Sequence, residues 1–281
     1  MAPLERKQER MTRHTDPTSK ASRIPPAWIY AVINALALAG VLLINWMANA
    51  LPLGGLTTGE ISFLYQNLFV PAGWAFSIWG VIYILLLLWV ILSFAYLNRM
   101  DAYISIRVAS PLFWLSCLAN AGWILAWHSL MPGVSVLCMV VLLASLIILT
   151  EHLTLYRKDA PLWSYLPFEL YLGWICVALI ANIAAWMVSA GWIGSIFSQT
   201  VWSSVMIAVG TGLGLFYILR KQSVAFGLVI VWAIVAIYFR RHIDTSVDDA
   251  LIELTALISA GILILALIAR ATGLLKRTTT Q

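Results

Sequence analysis

Apolar residues in this chain run in long blocks divided by short polar stretches, without the ten-residue alternating segments of a membrane barrel. Crossing about 30 Å of hydrocarbon at about 1.5 Å per residue takes roughly 20 residues of helix. The blocks that meet this length are Ala27–Ala50, Trp74–Leu97, Val108–Leu130, Val134–Leu155, Tyr165–Val188, Phe197–Leu219, Val224–Phe239 and Ala250–Ala269. The seventh is the shortest. Inside a bilayer every backbone N–H and C=O must find a partner within the element itself, which helices provide. The pattern therefore predicts an all-α, polytopic helical membrane protein with about eight transmembrane helices.

Composition agrees: 62% of residues are hydrophobic and 10% are charged, against about 25% charged in soluble domains. The net charge of +5 raises the question of a nucleic-acid partner. Its distribution answers differently. Of the 17 Lys and Arg, all but Arg240 and Arg241 fall in the N-terminal leader, after the even-numbered spans or at the C-terminus. The loops Leu51–Gly73, Met131–Gly133 and Ser189–Ile196 contain none. This positive-inside asymmetry predicts both termini on the cytoplasmic side of a cell (inner or plasma) membrane. The polybasic leader is also placed to touch anionic lipid heads. The partners expected are the lipid bilayer and no nucleic acid.

The leader, residues 1–26, is polar and is expected to be disordered, as is the basic tail 272–281. The first span is too long for a signal-peptide core, although Ala48-Asn49-Ala50 has the small-residue form of a cleavage site. Cys117, Cys138 and Cys176 each fall inside a different span and read as small apolar packers.

Fourteen tryptophans change the picture. Trp28, Trp46, Trp74, Trp163 and Trp192 lie near span ends, where indole rings settle at headgroup depth. Trp79, Trp123 and Trp174 lie well inside their spans, where an indole N–H needs a partner or a ligand. Helical periodicity groups them with polar residues. Ser116, Asn120, Trp123 and Trp127 share one face of the third span. Trp79 sits one turn before Tyr83 in the second. In the fifth, Trp174 precedes Ala178, Ala181 and Ala185, with Asn182 at the edge. A flat ring above a strip of alanines leaves a groove with aromatic walls; the same strip also suits close helix packing. The two mid-membrane asparagines fit interhelical hydrogen bonding and ligand contact alike.

The stretch Tyr171-Leu172-Gly173-Trp174, continuing through Ala178 and Asn182 to Trp186, resembles the last helix of the TspO/MBR family, the tryptophan-rich sensory proteins. Asn120-Ala121-Gly122-Trp123 resembles that family's third-helix motif, and Pro71, Trp79 and Tyr83 resemble the start of its second helix. The three motifs cover residues 27–192. Departures are Ala72 in place of a second proline, Ser116 in place of a glutamine and Leu170 in place of the proline before Tyr171. The resemblance implies a TspO-like five-helix bundle over 27–192, with 193–271 forming three additional helices. It further implies a receptor that binds protoporphyrin IX, haem or another flat lipophilic molecule, with no obligatory cofactor. Carried over by position, the ligand residues are Trp79, Tyr83, Asn120, Trp123, Trp174, Ala178, Asn182 and Trp186. Oxidative breakdown of bound porphyrin is a further activity implied by the resemblance alone.

Two other features bear on function. Thr57-Thr58-Gly59-Glu60 reads as a capping box opening a short helix in the first long loop, either a lid or an ordinary interfacial helix. Gly210-Thr211-Gly212-Leu213-Gly214 reads as a packing face or as a break in the sixth span, which would suit a secondary transporter. The small-residue faces also leave a homodimer open. Glu151, His152 and Glu169 lie near Arg157 and Lys158, which predicts interfacial ion pairing over a proton pathway. Arg240 and Arg241 are expected to neutralise Asp244, Asp248, Asp249 and Glu253. His128 reads as a structural histidine, with ligation of haem iron as its alternative. No cluster of titratable groups suited to hydrolytic or metal chemistry falls within the spans.

Overall fold

A computed structural model of the chain describes residues 26–51, 53–97, 100–157, 160–192, 198–243 and 250–274. The basic leader, most of the basic tail, Arg99, Lys158, Asp244, Asp248 and Asp249 lie outside the described residues. The described residues form helices α1 (Ala27–Ala50), α2 (Thr58–Leu64), α3 (Ile78–Ala95), α4 (Met100–His128), α5 (Pro132–Tyr156), α6 (Leu166–Ser189), α7 (Gln199–Phe216), α8 (Val224–Ile243) and α9 (Ala250–Ala271). All but the short α2 are long and apolar enough to cross a membrane, eight in total. Their outward faces carry strongly exposed Leu36, Ile84, Leu118, Leu137 and Leu265. Such continuous apolar surface belongs in lipid. The chain is a multi-pass membrane protein.

Local chemistry sets the ends. A 3₁₀ turn, Gly73–Ser77, leads into α3. Helix α4 begins at Met100, upstream of the predicted Val108, and stops at His128 rather than Leu130. Leu130 takes a left-handed φ of 54°, which breaks the helix. Pro132 then starts α5, where its missing N–H costs nothing. Ser198 caps α7 by accepting from the Val201 N–H. A π-helical turn, Tyr217–Lys221, closes α7 before left-handed Gln222.

Helices α1, α3, α4, α5 and α6 pack as one bundle, and α7, α8 and α9 pack together beside it. The join is the face where α6 meets α8. Gly173 makes it possible: a methyl there would stand 3.2 Å from Val229 Cβ and 3.3 Å from the Phe226 carbonyl oxygen. Within the second group, α7 runs unbroken through its glycines. A methyl at Gly214 would meet Leu263 Cδ2 at 2.8 Å, so Gly214 is a close-packing position, and the stretch is not a helix break.

At the end remote from α2, Arg157 pairs with Glu169 (3.0 Å) and Lys221 with Glu151 (2.7 Å). Arg157 also donates to the Lys221 and Gln222 carbonyls, tying α5 to the end of α7. This is the interfacial pairing expected of Glu151 and Glu169. At the other end, Glu253 meets His242 at 3.2 Å instead of an arginine. The Arg240 guanidinium lies 4.9 Å from the centre of the Phe63 ring, which draws it toward α2.

Candidate functional site

The site lies where α3, α4 and α6 converge beneath α2. Trp79 is its hub. Its ring stacks on Tyr83 (5.4 Å between centroids) and on Trp123 (5.6 Å), and meets Trp174 edge-on at 6.3 Å, 86° between planes. Phe76 meets Trp174 edge-on from the preceding turn at 6.1 Å. These geometries are the ones aromatic quadrupoles favour.

Opposite the rings, α6 offers Ala178, Ala181 and Ala185, and the missing side-chain volume opens a cavity. Its volume is about 40 Å³, a narrow cleft between closely set walls, well below the volume of an open small-molecule site. The walls are Trp79, Trp123, Trp127 and Trp174, with Phe76, Val177 and the three alanines. Thr58 and Ser62 of α2, and Asn67 and Pro71 of the following loop, complete it. The alanine strip is therefore the floor of a groove. The short loop helix covers that groove as a lid.

The lid forms and attaches through bonds readable residue by residue. Glu60 Oε2 accepts from the Thr57 N–H (2.7 Å) and hydroxyl (2.8 Å), and Thr57 Oγ1 accepts from the Glu60 N–H (3.3 Å). This reciprocal cap holds the exposed Glu60 carboxyl below its ordinary value of 4.5, chiefly through the Thr57 backbone N–H. Helix α4 then grips the lid. Trp127 Nε1 donates to the Thr58 carbonyl at 3.1 Å. His128 Nδ1 bonds the Leu53 carbonyl at 2.8 Å, and its Nε2 lies 3.1 Å from the Thr58 hydroxyl. A carbonyl only accepts, so Nδ1 carries a proton and donates to Leu53, while Nε2 shares a hydrogen bond with the Thr58 hydroxyl. Both nitrogens are engaged, which makes His128 a structural residue. Among the described residues no group of three His, Cys, Asp or Glu is arranged to hold a metal ion.

Of the residues that the sequence singled out, Trp79, Trp123, Trp174, Ala178 and Asn182 line this cavity together. Tyr83 lines an adjoining one with Trp79 and Trp123. Asn182 also serves the bundle: its Oδ1 accepts from Trp123 Nε1 (3.2 Å) and from the Ser135 hydroxyl, and its Nδ2 donates to the Ala178 carbonyl. Asn120 lies behind the wall and lines neither cavity. It donates to Tyr171 Oη at 2.8 Å and accepts from Asn45 Nδ2 at 3.0 Å, linking α4 to α6 and α1. Trp186 is not brought to the cavity either. It packs over Gly133, where its Nε1 would stand 3.0 Å from an added methyl, and against Trp192.

Sequence periodicity missed Thr58, Ser62 and Asn67, which reach the site from a loop, and Asn45 and Tyr171 of the supporting network. The capping box was the one signal that pointed to the loop residues.

A family model described as TSPO-like protein matches residues 31–269. The match therefore runs beyond the five helices that carry the motifs and takes in α7, α8 and most of α9. No curated protein and no solved structure matches the chain.

Proposed function

The chain belongs to the TSPO-like family, and on that premise we propose that it is a membrane receptor for a flat lipophilic molecule of the tetrapyrrole kind, held beneath the lid. The observation that carries this reading is the pairing of four tryptophan walls with a floor of alanines in one lidded cavity. Apolar concave sites with a few fixed polar groups are the ordinary form of small-molecule sites. A rigid planar ring system matches aromatic walls with little conformational entropy to lose. The positive-inside pattern supports a lid on the extracytoplasmic side and both termini in the cytoplasm. The unbroken course of α7 removes the sequence feature that had suggested a transporter.

The test is quenching of tryptophan fluorescence by protoporphyrin IX, with haemin beside it, in the purified protein and in Ala181→Leu. The leucine fills the groove without touching a hydrogen bond. Saturable quenching that weakens at least about tenfold in the variant, equivalent to about 1.4 kcal/mol, supports the reading. Quenching that never saturates, or that ignores Ala181→Leu, refutes it.

A further inference from the structure

The cleft between the tryptophans and the alanines holds about 40 Å³, whereas a drug-sized ligand needs about 300 Å³ or more. A flat ring therefore enters only where a wall moves. The walls are not built alike. Trp79, Trp123, Trp127 and Trp174 stand on membrane-spanning helices. Asn67, Val70, Pro71 and Phe76 belong to the segment between α2 and α3, which has one 3₁₀ turn and no α-helical ladder. Segments of that kind open at the lowest free-energy cost.

Helix α8 holds this wall. The Ala72 N–H donates to the Ala236 carbonyl at 3.0 Å, an oxygen inside α8 with two lone pairs to offer. Trp232 Nε1 donates to the Ala75 carbonyl at 3.1 Å. Between these bonds Trp74 meets Trp232 edge-on, 4.7 Å between centroids, and lies 6.4 Å from Phe239. One turn beyond Ala236, Arg240 reaches Phe63 of the lid. Val229, Ala236 and Arg240 share one stripe of α8, about 16 Å long at about 1.5 Å per residue. At its inner end Val229 packs on Gly173, next to Trp174. At its outer end the stripe meets the loop and the lid. It thus braces the floor helix against the wall opposite, whose Phe76 meets Trp174.

We propose that α8 is the latch of the site: it holds the wall 66–77 against the cleft, and the cleft opens when that wall leaves α8. Trp232 is a positioning residue, acting through Ala75 and Trp74. The proposal rests on the binding reading above and gives the last three helices a part in it. Helices α7 and α9 pack on α8, and the turn closing α7 joins α9 in enclosing Gly227 of α8. A methyl at Gly227 would stand 2.6 Å from Ile218 and 3.1 Å from Leu267. A latch braced in this way yields at the loop, not at the helix.

The test uses the full chain in detergent, with Trp232→Phe, Ala72→Pro and Phe168→Ala. Trp232→Phe keeps a ring against Trp74 and deletes the N–H. Ala72→Pro suits the local φ of −57° but puts a ring carbon where the N–H met Ala236. Phe168→Ala loosens the core around Trp89 and leaves the latch alone. Amide exchange at Phe69 and Ala75, without ligand, reads the opening of the wall, with α5 as the reference. It is expected to rise about fivefold in Trp232→Phe, the equivalent of one neutral hydrogen bond. Ala72→Pro should raise it further, and Phe168→Ala should not raise it. Stopped-flow quenching by protoporphyrin IX should show association speeding up by the same factors, since the open fraction sets the rate. Unchanged exchange at Phe69 and Ala75 in both latch variants overturns the proposal, as does an association rate that ignores a raised exchange. A chain that porphyrin never quenches saturably overturns the binding reading instead, and raised exchange in the two variants still upholds the latch.

Discussion

The bundle contains two aromatic clusters on the same three helices, and only one of them surrounds a cavity. Around Trp79 the rings of Tyr83, Trp123 and Trp174 leave open space. Ten residues along α3, about 15 Å away, Trp89 meets Phe113 and Phe168 edge-on at 5.0 Å each. All three of those rings are fully buried. The helices and residue types are alike; the opposing residues are not. Phe168 fills the space across from Trp89, whereas Ala178, Ala181 and Ala185 leave it empty across from Trp79. An unpaired indole does not separate the clusters either, since Trp89 and Trp174 both bury an Nε1 without a partner. The small residues facing the rings make the cavity, not the tryptophans alone.

This contrast breaks most sharply at Phe168. Phe168→Ala is expected to cost about 3–5 kcal/mol by leaving a void among Trp89 and Phe113. Denaturant unfolding in detergent reads that loss, and the folded fraction should still bind porphyrin. Ala181→Leu should do the reverse, weakening binding at least about tenfold while moving the unfolding midpoint little. Trp123→Phe keeps a ring in the wall but removes the N–H that Asn182 accepts. About 1 kcal/mol of stability should go with it, because Asn182 keeps Ser135 as a donor.

Smaller effects concern the lid. Arg240→Ala withdraws the guanidinium from Phe63, worth about 0.5–1 kcal/mol. Faster amide exchange across Thr58–Leu64, with α5 unaffected, is the expected sign. Acid should act on the same helix through Glu60, whose folded carboxyl titrates below 4.5. Its contribution is complete above the unfolded value and fades as pH falls through the lower folded one. Exchange at the Thr57 amide should therefore rise in strong acid, and Glu60→Gln should abolish that rise.

The contrast between the clusters also marks how far the sequence could be read. Eight spans were legible because length and unbroken apolarity are set by the bilayer itself, independent of tertiary contacts. The first of them, Ala27–Ala50, coincides with α1. The lid was legible as a helix through Thr57 and Glu60, whose capping depends only on neighbours three residues apart. Periodicity put Trp174, Ala178, Ala181 and Asn182 near one face, and that face does line the cavity. The family resemblance added Trp186, one turn beyond Asn182, where the cavity has ended and Gly133 receives the ring. A helical pattern gives direction around an axis, not the depth at which a neighbour closes the space. For the same reason Asn120 could be read as buried but not as the partner of Tyr171, which comes from another helix.

The most direct test of the central claim is a porphyrin titration of Ala181→Leu and Phe168→Ala in one detergent, with unfolding measured on the same samples. The account predicts opposite rankings: Ala181→Leu stable and poor at binding, Phe168→Ala unstable and binding well in its folded fraction. If both variants lose binding in proportion to lost stability, the cavity above the alanines is not the ligand site.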